Sequence, residues 1–403
     1  MSTKYPAGVI TAVNPVTPSG PYQNSTASGI WTMEQAGYWI KQGQWPTAGN
    51  VKNFGPLYSW GKNNYGQLGL GNTTYYSSPK QVGSLTTWLN ITAGGYHTIA
   101  TKTDGTLWSW GYNTHGELGL GNTTLYLSPK QVGSLTTWSK ITAGFYYTIA
   151  TKIDGTLWSW GRNNFGQLGL GNITNYSSPK QVGSLTTWLK ITAGYAHAIA
   201  IKTDGTLWSW GWNNSGQLGL GNTTSYSSPK QVGSLTTWLN ITAGTAHTLA
   251  TKTDGTLWSW GSNYYGQLGL GNVTYYSSPK QVGSLTTWLN ITAGGYHPTV
   301  TKTDGTLWSW GRNHFGQLGL GNITNYSSPK QVGSLTTWSN SAGGLYHTIA
   351  TKTDGTLWSW GYNVYGQLGL GNIINYSSPK QVGSLTTWSK ITTGGYHTLA
   401  TTI

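Results

Sequence analysis

Apolar and polar residues alternate in short runs along most of this chain. In the run LWSW at 107–110, Trp108 and Trp110 alternate with the other two residues, which is the period of a β-strand. A glycine-rich loop leads to the segment SPKQV, whose proline favours a strand start or an edge strand. Two further runs, 138–143 and 147–153, are followed by an Asp-Gly pair, a strong signal for a hairpin turn. The pattern predicts four short strands in each unit.

The whole pattern recurs at an offset of fifty residues, without insertion or deletion. A unit of this size is too small and too rich in glycine to bury its own core, so its strands must pack against neighbouring copies. The repeat therefore overrides the expectation of two or three separate domains for 403 residues. The seven copies of the tryptophan-glycine strand motif begin at Leu57, Leu107, Leu157, Leu207, Leu257, Leu307 and Leu357.

The two ends of the array predict how it is closed. The last copy stops at 401–403, so its final strand lacks the LWSWG strand that follows it elsewhere, while 57–60 lacks a full strand ahead of it. Pairing these two strands leaves no open sheet edge, whereas an open solenoid would need polar capping repeats. We predict an all-β, seven-bladed β-propeller of four-stranded blades over 51–403, with 1–50 as a separate arm.

The arm differs in composition from the repeats. Residues 1–28 are rich in Pro, Ser, Thr and Gly, which predicts an extended segment. Residues 32–35, TMEQ, form a capping box that predicts one short helix ending before Gly43 and Pro46. The segment ASGIWTMEQAGYWIKQGQWPT resembles a short element of marine phage structural proteins, and this resemblance implies a virion component that is attached through the arm.

Charge is sparse, since only 7% of residues are charged, and it repeats with the copies. Lysines two positions before each Asp-Gly turn have most of their charge offset by the aspartates from Asp104 to Asp354. A second series has no acidic neighbour, and could either attract phosphates, nucleic acid or acidic glycans, or consist of solvated edge lysines that discourage sheet aggregation. This basic ring is Lys80, Lys130, Lys180, Lys230, Lys280, Lys330 and Lys380.

The motifs WSWGxNxxGQLGLGN, SPKQV, ITAGxxHT and KTDGT, repeated over about 350 residues, resemble the regulator of chromosome condensation repeat family. The resemblance implies a seven-bladed propeller but does not settle function, because members include a nucleotide exchange factor, ubiquitin ligase modules and an ultraviolet-B photoreceptor. The exchange factor's inserted loop and acidic surface are missing here. The tryptophans that the photoreceptor places before the histidine are missing as well, which favours blade packing as the role of tryptophan in this chain.

No side chain pattern indicates catalysis. Serine, histidine and aspartate recur in every copy or nearly so, whereas a catalytic triad needs one asymmetric constellation. A ring of imidazoles could hold a metal or act as a base, but we expect strand-capping hydrogen bonds instead. We therefore predict no catalytic residue, no metal and no cofactor. The recurring histidines are His97, His197, His247, His297, His347 and His397, with Tyr147 at the equivalent position of the second copy.

The copies differ mainly at loop positions, and several of these carry Tyr, Trp, Arg or His, the residues favoured at recognition surfaces. Either these residues form a binding face, or they differ among the copies only through neutral drift. The candidate recognition-loop residues are Tyr65, Tyr112, His115, Arg162, Phe165, Trp212, Tyr265, Arg312, Phe315, Tyr362 and Tyr365. The sixth copy also differs in a strand, where 340–343 lacks the isoleucine that we expect to be buried. Its loss should cost about 2 to 4 kcal/mol and make this blade the softest.

These features predict a non-enzymatic structural or host-recognition propeller of a phage virion, such as a tail fibre or surface decoration protein. Its expected partners are other virion proteins through 1–50 and a host surface glycan or protein. Nucleic acid and membrane insertion are not expected, and oligomerisation within a particle is open. One alternative is an intracellular protein-interaction or chromatin-binding scaffold of the chromosome condensation type. The other is a secreted lectin-like binder.

Overall fold

A computed structural model describes residues 55–403, so the arm and helix predicted for 1–50 lie outside the described residues. The described part of the chain is all β, with strands at the four places that the repeat predicts. No helix in this part of the chain is long and apolar enough to span a membrane.

The strands follow one another in the same order in every copy. The first two are β1 (Leu57–Gly61) and β2 (Tyr76–Gln81). Three groups of four follow: β3 (Trp88–Ala93), β4 (His97–Lys102), β5 (Leu107–Gly111), β6 (Tyr126–Gln131); β7 (Trp138–Ala143), β8 (Tyr147–Lys152), β9 (Leu157–Gly161), β10 (Tyr176–Gln181); β11 (Trp188–Ala193), β12 (His197–Lys202), β13 (Leu207–Gly211), β14 (Tyr226–Gln231). The remaining strands are β15 (Trp238–Ala243), β16 (His247–Lys252), β17 (Leu257–Gly261), β18 (Tyr276–Gln281); β19 (Trp288–Ala293), β20 (Pro298–Lys302), β21 (Leu307–Gly311), β22 (Tyr326–Gln331); β23 (Trp338–Gly343), β24 (His347–Lys352), β25 (Leu357–Gly361), β26 (Tyr376–Gln381); and β27 (Trp388–Thr393), β28 (His397–Thr402).

Six of the seven antiparallel sheets consist of four consecutive strands, and the seventh combines both ends of the repeat array. Its order is β2-β1-β28-β27, with Leu57 opposite Thr401 and Gly61 opposite His397. The predicted closure is confirmed. Because β28 of the last copy pairs with β1 of the first, neither strand is left unpaired where the two ends of the array meet.

The core lies between sheets rather than within them. Trp110 of β5 is fully buried, and it packs in one cluster with Leu57 of β1 and Leu399 of β28, both from the neighbouring sheet. Its indole N–H also crosses the junction and donates to the Gln67 carbonyl at 3.0 Å. Equivalent tryptophans do the same at the other junctions, so each sheet depends on its neighbour, as a repeat array requires.

Each sheet presents its loops on two opposite faces of the ring. The β3–β4 and β5–β6 loops and their equivalents lie on one side, which we name the aromatic face. The Asp-Gly turns and the connections between sheets lie on the other, which we name the hairpin face. Gly111 turns the chain from β5 into the aromatic face with φ at 101°, and a Cβ there would lie 2.7 Å from the Tyr96 carbonyl oxygen. Only glycine meets both conditions.

The lysines that precede the Asp-Gly turns contact tryptophan rings. Lys102 Nζ lies 3.5 Å from the ring centroid of Trp108 and 5.3 Å from that of Trp88. The turn aspartate has local hydrogen-bond partners, since Asp104 Oδ1 accepts from the N–H and the hydroxyl of Thr106 at 2.9 and 2.6 Å. These lysines therefore add cation–π contacts to the packing of tryptophans at the outer end of each hairpin.

The expected burial of the strand isoleucine is wrong. Ile91 and its equivalents are only half-buried, because the innermost strand of each sheet turns this side chain partly toward the central axis. In the sixth copy Ser341 takes this place, and its hydroxyl oxygen accepts a hydrogen bond from the Thr299 hydroxyl at 3.1 Å. The penalty for losing the isoleucine should therefore be smaller than for a buried one.

We still predict that β23 is the least protected of the innermost strands. Substituting Ser341→Ile together with Thr299→Ile, which removes both members of this hydroxyl pair, should raise the free energy of unfolding by about 1 to 2 kcal/mol, since only part of a buried side chain's contribution is available at position 341. Hydrogen exchange measured strand by strand tests this, with Thr292→Ala as a control that removes a hydrogen bond across the same junction. Equal protection of all seven innermost strands would contradict the prediction.

Candidate functional site

The loop positions that vary among the copies meet on the aromatic face. Tyr65 contacts Tyr112 with ring centroids 4.9 Å apart and Tyr96 at 5.4 Å, which joins the first and second copies. His115 and Tyr146 lie 5.5 Å apart in the second copy. The contacts include the residue just before the histidine motif as well as the residues after WSWG, so two sets that are separate in sequence form one surface.

This surface is continuous around most of the ring. From the second copy it runs through Phe145 and Tyr195 to Trp212, with Phe165 packed against Trp212 at 5.7 Å. In the other direction Lys62 connects Tyr96 to the rings of the seventh copy, and contacts continue through the sixth copy to the fifth. That half contains Tyr265, Tyr296, Phe315, Tyr346, Tyr362, Tyr365 and Tyr396.

The fourth copy interrupts the surface. Between Trp212 and Tyr265 the equivalent positions carry small side chains, namely Ser215, Thr245, Ala246 and Ser262. The aromatic face is therefore an open arc with one gap, and the gap gives a sevenfold repeat a defined orientation. A partner that contacts the ends of the arc can bind in one rotational position only.

Cations are placed within the arc. The Arg312 guanidinium carbon lies 4.8 Å from the ring centroids of both Tyr265 and Tyr346, and Arg162 lies 5.6 Å from Tyr146. Within the described residues, the Nε atoms of both arginines are buried without a hydrogen-bond partner. Burial lowers the pKa of Lys62, which lies among three tyrosine rings. The arc thus offers aromatic area with fixed positive charge.

The second copy contributes a buried carboxylate to this face. Glu117 replaces the glutamine of the other copies, and its two oxygens contact His115 Nδ1 at 2.7 Å and the His115 N–H at 2.9 Å. Burial raises the pKa of Glu117, and the hydrogen bonds from His115 oppose this shift. Glu117 and His115, which differ from the residues at these positions in the other copies, are therefore direct hydrogen-bond partners.

The recurring histidines are internal and do not reach this surface. His97 is fully buried, and its Nε2 lies 3.1 Å from the hydroxyl of Thr148 in the next sheet. That hydroxyl donates to the Glu117 carbonyl, so it must accept from His97 Nε2–H. The bonds join neighbouring sheets rather than capping a strand, which corrects our expectation. Within residues 55–403, no cluster of His, Asp and Glu has an arrangement that could hold a metal.

Two copies depart from this histidine-threonine pairing. In the second copy the larger Tyr147 faces Ala198 in place of threonine, and its hydroxyl donates to the His197 carbonyl at 2.5 Å. In the fourth copy, by contrast, the partner position holds Pro298, and neither ring nitrogen of His247 has a hydrogen-bond partner among the described residues. The first change is compensated, whereas the second leaves a buried polar group unsatisfied.

Replacing Pro298→Thr should therefore stabilise the protein by about 1 to 2 kcal/mol, because it restores the hydrogen bond to His247 Nε2 and the hydroxyl bond to a backbone carbonyl. Pro298→Ala is the matched control, since it restores the backbone N–H without the hydroxyl. Urea unfolding compares the three proteins. A threonine variant no more stable than the alanine variant would show that the unsatisfied imidazole carries no penalty.

The basic ring lies apart from the aromatic face. Lys80 and its equivalents are exposed on the outermost strand of each sheet, and each ammonium lies near a tyrosine of its own strand, at 5.5 Å for Lys80 and Tyr76. The seven lysines are spread around the circumference, where they do not converge on one ligand. This placement fits the interpretation as edge lysines.

One set of side chains was missed at the sequence level. Two residues after the first tryptophan of each innermost strand, the copies carry lysine or asparagine, and these side chains line the central axis. The sequence does contain a signal for this set, because the same repeat position carries the charged lysine in some copies and the neutral asparagine in others. The residues are Asn90, Lys140, Lys190, Asn240, Asn290, Asn340 and Lys390.

Comparisons with known proteins agree with this architecture. The RCC1-like domain model matches residues 51–297, and models of the regulator of chromosome condensation (RCC1) repeat match 289–317, 304–351 and 354–401. No curated protein sequence matches the chain.

Solved structures with the same fold include Prp20p from Saccharomyces cerevisiae and human WBSCR16. Prp20p has a TM-score of 0.80 at 22% identity, covering 88% of this chain and 92% of that one. WBSCR16 has a TM-score of 0.78 at 21% identity, covering 86% and 98%. Yeast Prp20 in complex with Kap60 has a TM-score of 0.78 at 21% identity, and the match covers 87% of this chain and 90% of that one. The predicted propeller is confirmed, and identities this low concern the fold alone.

Proposed function

Because this chain belongs to the RCC1-like domain family, whose model matches residues 51–297, we propose that it is a non-enzymatic interaction propeller that binds a protein partner on its aromatic face. The observation that carries the proposal is the arc of contacting aromatic side chains, interrupted only at the fourth copy among the described residues. Sequence variation is concentrated where these side chains meet.

The chemistry of the arc suits a protein surface. Tyrosine, tryptophan and arginine are the residues that most often carry binding free energy at protein interfaces, since they bury large area with little loss of side-chain entropy. Here many are half-buried and already held by their neighbours, which lowers the entropy lost on binding. The fixed charges of Arg162, Arg312 and Lys62 favour a partner segment that is neutral or acidic.

The comparisons support a protein as the class of partner. Prp20p was described together with its binding to Gsp1p and histones, and Prp20 was also solved with Kap60. Those partners belong to that protein. Histones are basic, whereas every charge fixed in the arc of this chain is positive apart from the buried Glu117, so a histone partner is not what this face favours.

The virion interpretation stays a prediction. It depends on residues 1–50, which lie outside the described residues, and the yeast and human relatives do not support it. Deleting 1–50 discriminates between the two interpretations: an interaction propeller should bind its partner without the arm, whereas a virion protein should fail to be incorporated into particles.

Photo-crosslinking and subsequent binding measurements test the proposal. A benzoylphenylalanine at Phe165, on the aromatic face, should crosslink a partner in the source cells, and one at Leu185, on the hairpin face, should not.

With the purified partner, Trp212→Ala and Phe315→Ala combined should weaken binding about a hundredfold or more. The matched control removes exposed leucines of the hairpin face, Leu185→Ala and Leu335→Ala. Equal weakening by both pairs, or crosslinks at Leu185 alone, would refute the proposed surface.

A further inference from the structure

Two loops of the aromatic face carry arginine, Arg162 after β9 and Arg312 after β21. Between the sheets that contain them stand two others, β11–β14 and β15–β18, so the arginines lie on either side of the gap in the arc. The same hydrogen bond holds both loops. The N–H of Asn163 donates to Asn175 Oδ1 at 2.7 Å in one loop, and the equivalent bond in the other loop is 2.8 Å long. The gap is therefore flanked by equivalent cations in loops of the same conformation.

Aromatic rings hold the Arg312 side chain in place. Its guanidinium carbon lies 4.8 Å from the ring centroids of Tyr265 and Tyr346. The rings of Tyr296 and Phe315 follow at 5.5 and 6.0 Å. These four rings come from three neighbouring sheets. Cation–π contacts of this kind restrict the side chain, so that less entropy is lost when a ligand binds to it.

The hydrogen-bonding capacity of the two guanidiniums is unused. Among residues 55–403 none of their nitrogens has a hydrogen-bond partner, and Nε of each is buried. The one ion pair within this part of the chain joins His115 to Glu117, so neither arginine has a carboxylate partner there. Both side chains are only half-buried, and a ligand can reach them from the aromatic face. A carboxylate is a suitable ligand, because it accepts two parallel charge-assisted hydrogen bonds from one guanidinium.

Small uncharged side chains lie between the two arginines. Ser215, Thr245, Ala246 and Ser262 form the gap, and each is half-buried. Because these side chains are much smaller than the rings on either side, the gap is a depression in the aromatic face. An extended polypeptide can lie in such a depression, where its N–H and C=O groups can hydrogen-bond with the serine and threonine hydroxyls.

We propose that an extended acidic segment of a protein partner crosses the gap, with one carboxylate side chain bound to Arg162 and another to Arg312. This assignment rests on the proposed function, because it names the chemistry of the partner at the same face. Charge complementarity supports it. The described aspartates all belong to Asp-Gly turns of the hairpin face, and the carboxylate that the described residues place on the aromatic face, Glu117, is already bound to His115.

A nucleic acid suits this face less well than an acidic protein segment. Many rings of the arc meet edge to face, as Tyr65 does with Tyr96 and Tyr112. Such packing covers ring faces on which nucleobases would stack. The cations Lys62, Arg162 and Arg312 also stand singly in different sheets, whereas a phosphate backbone is usually followed by a continuous basic groove.

Selection from a library of random linear peptides tests the proposal without knowledge of the partner. The full chain is the bait, and its Trp212→Ala, Phe315→Ala double variant removes peptides that bind elsewhere. Selected peptides should carry two acidic residues at a constant spacing, because both arginines are fixed. With a synthetic selected peptide, Arg162→Gln and Arg312→Gln should each weaken binding about tenfold or more in fluorescence anisotropy. Lys130→Gln and Lys180→Gln on the circumference change the charge equally and should bind as wild type does.

A change in the peptide gives a measurement that does not depend on the folding of a variant. Replacing both acidic residues by their amides should weaken binding to wild type about a hundredfold, and the double arginine variant should bind both peptides equally. Peptides selected without acidic residues, or arginine variants that bind the acidic peptide as wild type does, would overturn this assignment and leave the proposed function intact. If no peptide prefers wild type over the Trp212→Ala, Phe315→Ala variant, the proposed function itself fails. Oligouridylate that binds more tightly than the selected peptide would overturn the choice of a protein segment.

Discussion

Between about pH 7.5 and pH 5.5 the protein is expected to lose about 8 kcal/mol of unfolding free energy, because six fully buried histidines resist protonation. Burial lowers the pKa of His97 to about 3, and the five equivalent histidines behave alike. A loss of this size is comparable to the whole stability of an ordinary domain. Acid should therefore unfold the propeller well above the pH at which its aspartates titrate.

The direction in which the unfolding free energy changes with pH follows from which state, folded or unfolded, takes up protons. The unfolded chain protonates its histidines below the ordinary pKa of 6.5, while the folded protein keeps them neutral down to about 3. Stability is therefore complete above pH 6.5 and falls as the pH decreases toward 3, by about 1.4 kcal/mol per histidine for each pH unit. The raised pKa of Glu117 acts in the opposite direction, but this is a single group.

Urea unfolding at several pH values measures the slope, and the second copy supplies the control. There Tyr147 and Ala198 replace the histidine and threonine, so the pair His347→Tyr and Thr398→Ala should remove one titrating group without leaving an unsatisfied partner. The slope of stability with pH should then decrease by about one sixth. A stability that does not change between about pH 7.5 and 5.5 would contradict the assignment of neutral, buried imidazoles.

Removing β28 should abolish cooperative folding. This strand pairs with β1 on one side and β27 on the other, and its Leu399 and Ala400 lie in the core clusters at two junctions. Truncation after Gly395 breaks both ladders and opens both clusters, and we expect a loss above about 5 kcal/mol, most or all of the net stability of a typical domain. Circular dichroism and urea unfolding of the truncated chain test this.

A circular permutant distinguishes the effect of ring closure on stability from the effect of removing residues. Thr402 N–H already donates to the Pro56 carbonyl at 3.3 Å, so the two ends of the array are adjacent. Inserting Asp-Gly between Ile403 and Pro56 recreates the turn of the other copies, and new termini at the exposed Ser234 avoid every strand. This permutant should fold with at least the stability of wild type. A stable truncated protein, or an unfolded permutant, would show that strand closure is not what holds the ring.

Much of the site could be predicted from differences among the copies. Tyr65, Tyr112 and Trp212 are recognisable because they stand at loop positions where otherwise identical units disagree, and such positions are free of core constraints. Their contacts were not predictable. Tyr65 meets Tyr96, thirty-one positions away, because two different loops of each unit reach the same face. The gap at the fourth copy becomes visible only when the copies are arranged in a ring.

The sequence alone determined the strands, their number and the closure of the propeller, because an exact period together with unmatched strands at both ends permits one complete pairing. It did not determine which strand of each sheet lies on the axis. That choice belongs to the tertiary structure, and it decides that Ile91 is half-buried and that Lys140 and Lys190 face a cavity. The histidine bonds depend on it too, since each partner lies in the next sheet. The fifty-residue period determines the strands of each sheet. Only the packing of the seven sheets around a common axis determines which side chains line that axis and which hydrogen bonds join neighbouring sheets.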